Sequence, residues 1–259
     1  MLPREHGAYS QMALPIVTAL VIAGPTPAGV LLAVAVVCGF LAHEPLLLLL
    51  GGRGARARRA TQTRATVWFT TTFGAMAFAG AAAYHLTPAA FRWSFLLPLV
   101  PAVWVCANAL TKQEDRASTQ IAVALAFAFT AIPICLVAGL GTLTAASVGF
   151  VFASVYVTGV LCVRSIVLGK RGGGNPARSR STRRALLAVE VVSAAAMSIA
   201  AIRGWVPWPL MLALTPGLFA PMALTMRPSP PTLKTVGWSL ALASAAAALI
   251  LIGTVHQFS

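Results

Sequence analysis

Ionisable side chains stand inside apolar stretches of this chain, where burying a charge is costly. His43 and Glu44 interrupt an apolar run that continues into five leucines, and Arg164 and Glu190 stand in two later runs. An imidazole beside a carboxylate can pass a proton, and a guanidinium can hold a phosphate through two parallel hydrogen bonds. These residues indicate proton chemistry or the binding of an anionic group, with His43 and Glu44 as the candidate catalytic acid/base residues.

Basic loops lie close to these polar positions. Five arginines follow the His43-Glu44 stretch, namely Arg53, Arg56, Arg58, Arg59 and Arg64. The glycines of residues 169–176 free backbone amides that, with Lys170, could wrap an anion, although the spacing is not that of a Walker phosphate loop. The candidate substrate-binding residues, all polar and in or beside apolar runs, are Arg64, Asn108, Lys112, Tyr156, Arg164, Lys170 and Glu190.

Each of these positions also has a purely structural interpretation. Glu44 could pair with an arginine that only ties two helices together, and Glu190 could do the same with Arg183, seven residues earlier. The adjacent Glu114 and Asp115 diverge on a helix, which makes them a poor pair for one metal ion. We therefore predict no metal site.

Composition places the chain in a membrane. Of its 259 residues, 58% are hydrophobic and only 9% are charged, against roughly a quarter in soluble domains. The formal net charge of +14 lies in short loops between apolar runs, which is the bias of cytoplasmic loops in membrane proteins. That distribution excludes nucleic acid as a partner and predicts a lipid bilayer instead.

The apolar runs predict an all-α, polytopic bundle of about nine transmembrane helices. The predicted spans are 8–24, 28–50, 65–84, 93–111, 119–139, 143–168, 185–202, 207–226 and 233–254. Most loop arginines and lysines fall on the side of the N-terminus, and only Arg92 and Arg203 fall on the other. This asymmetry predicts a cytoplasmic N-terminus and an external C-terminus.

The spacing of the basic loops suggests an internal repeat. The heaviest of them follow the second and sixth spans, each preceded by a span with ionisable groups. Residues 1–259 are accordingly predicted to form a single integral membrane domain, with a pseudo-repeat of 8–111 and 119–226 followed by a ninth helix at 233–254.

Several motifs resemble the YwiC-like family of bacterial membrane proteins. They are the opening Pro3-Arg4-Glu5-His6-Gly7-Ala8-Tyr9, the His43-Glu44-Pro45 stretch before basic residues, and Tyr156-Val157-Thr158-Gly159 leading to Arg164-Ser165. The resemblance implies a multi-pass protein of the bacterial plasma (inner) membrane and does not specify an activity.

A more distant resemblance is to UbiA-type intramembrane prenyltransferases, which are nine-helix bundles with magnesium-binding aspartates on helices 2 and 6. His43 and Glu44 fall where that family has Asn-Asp, and Arg164 and Lys170 stand near its second aspartate motif. The resemblance implies a UbiA-like arrangement. Because the aspartate motifs are missing, it supports magnesium only weakly, and we predict no cofactor.

The residues favour a cytoplasm-facing polar cavity that binds an anionic isoprenoid or lipid, with transfer chemistry on that ligand as one form of the function. Two alternatives stay open. Intramembrane ionisable groups and proline-interrupted helices also fit a small transporter or permease, in which His43 and Glu44 would relay protons. A non-catalytic membrane partner protein would need neither Glu44 nor Arg164.

Overall fold

The computed structural model describes residues 6–52, 54–111, 116–170, 176–226 and 231–258, and all regular structure in these ranges is helical. The α-helices, in chain order, are α1 (His6–Ala23), α2 (Pro27–Leu49), α3 (Ala55–Leu86), α4 (Leu96–Leu110), α5 (Ala117–Phe129), α6 (Ala131–Val137), α7 (Thr142–Lys170), α8 (Pro176–Ile202), α9 (Thr215–Thr225) and α10 (Leu233–Phe258). Short 3₁₀ helices, Ala89–Phe95 and Trp208–Leu214, precede α4 and α9.

Seven helical stretches of the described chain are long and apolar enough to cross a membrane. They are Pro27–Leu49, Ala89–Leu110, Ala117–Val137, Thr142–Gly169, Arg180–Ile202, Trp208–Thr225 and Leu233–His256. The predicted all-α polytopic bundle is therefore confirmed. The predicted count of nine is not settled, because the apolar part of α1 is shorter and α3 is rich in arginine and threonine.

Three predicted spans are each divided into two helical pieces, which the apolar pattern does not show. The breaks lie at Phe95–Leu96, at Thr130 and at Leu214–Thr215. At the second and third, a threonine hydroxyl donates to the carbonyl three residues earlier, at 2.6 and 2.7 Å. Pro133 and Pro216 follow these threonines, and because proline lacks an N–H it cannot complete the helical hydrogen-bond ladder there.

Glycine ends α2 just before the basic loop. Gly51 has a φ of +78°, a left-handed conformation that side chains with a Cβ adopt at a cost. Its N–H bonds to the Leu48 carbonyl at 3.1 Å, and the N–H of Gly52 bonds to the Leu47 carbonyl at 2.9 Å. This Schellman pattern satisfies carbonyls that the end of the helix would leave open. It lets the chain leave the helix within two residues.

Helices α2 and α3 then run antiparallel in close contact. A Cβ at Gly39 would lie 3.0 Å from the sulfur of Met76, and one at Gly80 would lie 3.8 Å from the Cβ of Ala35. The two pairs have the same sum of residue numbers, which is the register of an antiparallel pair. Small residues thus bring the backbones together, as expected where lipid supplies no hydrophobic drive between helices.

Helix α7 is the centre of the bundle. In its apolar window 72% of the residues are buried, the highest share among the seven candidate spans. Its fully buried side chains include Val148, Val151, Phe152 and Tyr156. A helix that is apolar all round belongs in the interior of a bundle, and this position lets the side chains of α7 reach several neighbours.

Proline shapes the contact between α7 and α9. Pro221 lacks an N–H, so the carbonyl of Gly217 one turn earlier has no partner from within α9. The hydroxyl of Thr158 on α7 lies 3.2 Å from that carbonyl, and it also lies 2.8 and 3.0 Å from the Ser154 and Val155 carbonyls of its own helix. The thiol of Cys162 lies 3.8 Å from the carbonyl of Pro221. Thr158 therefore offers a donor, shared with its own helix, to a carbonyl that proline leaves open in the next.

Thr158→Val is expected to lower the free energy of unfolding by about 1 kcal/mol, because it removes a hydroxyl that is shared between its own helix and the Gly217 carbonyl of α9, and it keeps the side-chain shape. Thr254→Val is the matched control, since the buried Thr254 hydroxyl donates only within its own helix in the described contacts, to Ile250 at 2.8 Å and Leu251 at 3.1 Å. Thermal melting in detergent would compare the two. Equal melting temperatures would contradict the role assigned to Thr158.

The helix ends that adjoin the basic residues gather at one end of the bundle. A buried apolar cluster joins the end of α7, the start of α8, the end of α9 and the start of α10. It consists of Leu161, Cys162, Ile166, Leu186, Leu224 and Val236. The start of α5 lies at the same end, because Gln120 accepts a hydrogen bond from Arg164 of α7. We call this the basic end, because Arg116, Arg180, Arg183, Arg184 and Lys234 adjoin it.

Candidate functional site

Three aromatic rings join α1, α2 and α5 near the basic end. The rings of Tyr9 and Phe40 meet edge to face with centroids 5.0 Å apart, and those of Phe40 and Phe127 meet in the same way at 5.7 Å. This geometry suits the ring quadrupoles. His43 and Glu44 follow Phe40 by three and four residues, so they lie on the same side of α2, one turn nearer the basic end.

Arg164 approaches the same region from α7. Its Nη1 donates to the Oε1 of Gln120 on α5 at 3.4 Å, and its side chain is half-buried. Gln120 stands seven residues before Phe127, so the two share a face of α5. The face of α5 that contacts Phe40 is thus also the face that receives Arg164.

We define the polar cluster as Tyr9, His43, Glu44, Gln120 and Arg164. His43 and Glu44 are half-buried, and Tyr9, His43, Glu44 and Arg164 each have a further hydrogen-bonding, ionic, electrostatic or ring partner. The cluster combines a carboxylate, an imidazole, an amide and a guanidinium at the rim of apolar helices. Such a set can hold an anionic group and can offer a proton acceptor beside it.

The observed contacts run through two residues that sequence reasoning does not select. Phe40, one turn before His43 and Glu44, contacts Tyr9, and Arg164 bonds to Gln120 on the face of α5 that also carries Phe127. Tyr9 belongs to the opening motif, which the sequence marks only as a family signature. Gln120 is a neutral amide in the first turn of an apolar span, and its role depends on which residue of α7 it faces. No period or motif in the sequence gives that information.

Two other predicted residues make their own local contacts. The Nδ2 of Asn108 donates to the carbonyl of Trp104 at 2.8 Å, so this buried amide is satisfied within α4. Tyr156 is only 2% exposed and its ring lies 5.7 Å from that of Phe152. Its hydroxyl has no hydrogen-bond partner among the described residues. Both stand in the packed interior, and their substrate contact stays a prediction.

The predicted basic ligands lie at the edge of the site or outside it. Arg64 is exposed near the start of α3. Lys112, with Glu114 and Asp115, lies outside the described residues. Lys170 is the last residue of α7, and its side chain lies beyond the described part. Of the predicted basic ligands, Arg164 is the one whose described contact, to Gln120, places it in the polar cluster.

Glu190 lies on another side of α7. Leu186, one turn before Glu190 on α8, packs in the same apolar cluster as Cys162, which stands two residues before Arg164. Two residues on an α-helix are about 200° apart, so Cys162 and Arg164 point to opposite sides. The side chain of Arg183 is exposed, and the Oε1 of Glu190 has no hydrogen-bond partner in the described chain. The helix-tying pair of Glu190 with Arg183 is not observed there.

The residues present do not fit a magnesium–diphosphate centre. In the described chain, no three His, Cys, Asp or Glu side chains come together as ligands. Magnesium in such centres is held by carboxylates together with phosphate and water. We therefore derive no step through a metal.

Two cavities of the described structure lie at the end opposite the basic end. One, of about 340 Å³, is bordered by Ala138, Leu140, Thr144, Pro207, Leu210 and Val255. The other, of about 310 Å³, is bordered by Phe129, Leu143, Ser147, Phe150, Met197 and Trp205. Both are mainly apolar grooves, suited to lipid chains. They are not the predicted polar cavity, which stays a prediction for the basic end.

Comparison with known proteins gives a family and no activity. The family model described as "YwiC-like protein" matches residues 2–135, about half of the chain. This part runs from α1 to α6 and so includes Tyr9, His43, Glu44 and Gln120 of the polar cluster. No curated protein and no solved structure matches. The likeness to UbiA-type prenyltransferases therefore stays a prediction from the residues.

Proposed function

The chain belongs to the YwiC-like family, and from this premise we propose that it binds an anionic lipid or isoprenoid phosphate at the polar cluster, on the cytoplasmic side of a bacterial plasma membrane. The protein has multiple membrane-spanning helices. The observation that carries the proposal is the half-buried Arg164 side chain, whose guanidinium bonds across to the exposed Gln120 on the face of α5 that also carries Phe127. Ionisable groups at such depth mark ligand or ion sites.

The orientation follows from charge. The basic end adjoins nearly all the loop arginines and lysines, whereas Arg92 and Arg203 adjoin the other. Cytoplasmic loops carry such an excess of positive charge, and cytoplasmic leaflets are rich in anionic lipids. An anionic lipid headgroup would thus reach the polar cluster from the cytoplasmic side, where the basic residues attract its negative charge. Its hydrocarbon tail would lie along the apolar faces of the helices.

The chemistry of the cluster suits a phosphate. The planar guanidinium of Arg164 can present two parallel N–H groups to phosphate oxygens, and Gln120 fixes its direction. Glu44 and His43, one turn beyond Phe40 on α2, would serve as proton acceptor and donor for a hydroxyl of the ligand. Transfer chemistry on the lipid would use them as acid and base. In a transporter or permease, the alternative to this proposal, the same pair would relay protons.

Mass spectrometry of lipids retained by the gently purified protein tests the proposal. Arg164→Met keeps the aliphatic stem and removes the charged donors, so we expect at least a tenfold loss of one anionic lipid or isoprenoid phosphate. Glu44→Gln should also reduce retention, because it removes the carboxylate that would accept a hydrogen bond from a hydroxyl of the ligand. Arg203→Met is the matched control, since Arg203 is exposed at the opposite end, and retention there should match the wild type.

Other results would point elsewhere. If the wild type retains no specific anionic lipid, or all variants retain the same one, the binding proposal fails. Proton flux in liposomes would then test the transporter, and its loss in Glu44→Gln would favour that function. If neither retention nor flux depends on Glu44 and Arg164, the protein acts as a non-catalytic partner in the membrane.

A further inference from the structure

A second site lies in the apolar cluster between α7, α8, α9 and α10. Glu190 on α8 is 9% exposed, and its Oε1 is fully buried without a hydrogen-bond partner among the described residues. Its neighbours along α8, Leu186 and Val189, pack into this cluster, and Cys162 faces it from α7. A glutamate is almost never buried in this way unless it is paired or neutral.

The elements around Glu190 present no cation to it in the described structure. Cys162 is the titratable group that faces it from α7. On its own helix, Arg180, Arg183 and Arg184 are exposed. Helix α9 and the 3₁₀ helix Trp208–Leu214 contain no charged or titratable residue. Lys234 of α10 is exposed, His256 lies at the far end of that helix, and α5 has no ionisable side chain.

The free energy of burial decides whether the carboxyl group of Glu190 is ionised or protonated. An ionised carboxylate without a partner in an apolar, lipid-surrounded cluster costs several kcal/mol, whereas the neutral acid costs only what an unmade hydrogen bond costs. We propose that Glu190 is a proton-binding site, which holds a proton in this closed arrangement and releases it when α8 separates from α7 and α9. Release requires water or a base, and neither reaches the buried Oε1 in this packing.

The neighbouring helix offers a physical route for that opening. Cys162, which faces Glu190, also lies against the carbonyl of Pro221 on α9, and Thr158 holds the Gly217 carbonyl one turn away. Proline leaves the hydrogen-bond ladder of α9 incomplete at this point. Side-chain bonds that can break and re-form thus replace part of the fixed ladder. Separation of the helices there would admit water to Glu190.

This proton site is independent of the anionic-lipid site. Arg164 and Cys162 point to opposite sides of α7, so Glu190 and the polar cluster lie on different faces of the central helix. Failure of lipid binding would leave the proton site standing, and loss of the proton site would leave the lipid proposal intact. If both hold, a proton and a lipid anion bind on either side of one helix.

Infrared difference spectroscopy of the full chain in lipid bilayers at pH 7 tests the proposal. The wild type should show the C=O stretching band of a protonated carboxylic acid, which an ionised glutamate lacks. The chain has only five aspartates and glutamates, so assignment by substitution is direct. Glu190→Gln should abolish the band and Glu44→Gln should leave it. Absence of the band from the wild type, or its survival in Glu190→Gln, would overturn the proposal.

Exchange and stability separate a proton site from a merely buried acid. Transfer to D₂O should shift the band to lower frequency as the site opens, and a band that never shifts would refute proton release. Glu190→Leu is the second variant, which fills the cluster with an apolar side chain. We expect it to lose the band and to raise the melting temperature. A melting temperature lowered by several degrees would show that the carboxylate has a stabilising partner, and would also refute the proposal.

Discussion

Gly217→Ala is expected to lower the free energy of unfolding by about 2 to 3 kcal/mol. A Cβ on Gly217 would lie 2.3 Å from the Cγ2 of Val155, 3.0 Å from its Cβ and 3.1 Å from its Cγ1. Valine is branched at Cβ and cannot rotate out of the way within a helix. The added methyl must therefore push α9 away from α7, which also lengthens the bond from Thr158 to the Gly217 carbonyl.

Gly237→Ala is the matched control. Gly237 also lies within a helix, and a Cβ there would meet nothing within 4 Å. Alanine is the better helix former, so this variant should melt at the wild-type temperature or slightly above it. Melting of both purified variants in the same detergent measures the difference. If Gly217→Ala melted with Gly237→Ala, the close contact between α7 and α9 would not be a major source of stability.

Gly149→Ala gives an intermediate case. A Cβ at Gly149 would lie 2.5 Å from the Cγ1 and 2.7 Å from the Cδ1 of Ile132. Cδ1 can turn away about χ2, whereas Cγ1 is bonded to the branched Cβ and moves only with χ1, so we expect a somewhat smaller loss than at Gly217, of about 1 to 2 kcal/mol. The order of the three melting temperatures would show that the rigidity of the opposing atoms, as well as the distance, sets the cost.

The membrane-spanning architecture could be predicted from sequence because it depends on long apolar stretches and on the turns between them. Gly139 ends the predicted span 119–139 and Gly204 stands between the predicted spans 185–202 and 207–226, and they adopt φ of +90° and +68°. The breaks within three spans could not be predicted in this way. A proline such as Pro133 marks a missing donor, but whether the helix kinks or divides depends on how the threonine before it bonds.

The rotation of each helix about its axis is the main information that the sequence lacks. In a soluble helix, an apolar stripe shows which side is buried. Helix α7 is apolar all round, so the sequence does not show that Arg164 turns toward α5 while Cys162 turns toward Glu190. The candidate residues were predicted as one site for this reason. The structure separates them onto two faces of the same helix.

Phe40→Ala is expected to lower the free energy of unfolding by about 2 to 3 kcal/mol, because Phe40 is the ring that joins Tyr9 to Phe127. The loss comes from packing, since a bilayer solvates an exposed ring as well as the protein does. Phe78→Ala is the matched control, because Phe78 is 77% exposed on α3 and makes few contacts to lose. Thermal melting in one detergent would compare them.

The same variant links the fold to the site. Phe40 lies one turn before Glu44 and holds α2 against the face of α5 that carries Gln120, so its loss should let Glu44 move away from the face of α5 to which Arg164 bonds. Lipid retention by Phe40→Ala should therefore fall at temperatures well below its melting point, and Phe78→Ala should retain the wild-type amount. A Phe40→Ala protein that melted early but still bound the wild-type amount of lipid would show that the aromatic contacts support the bundle without positioning the polar cluster.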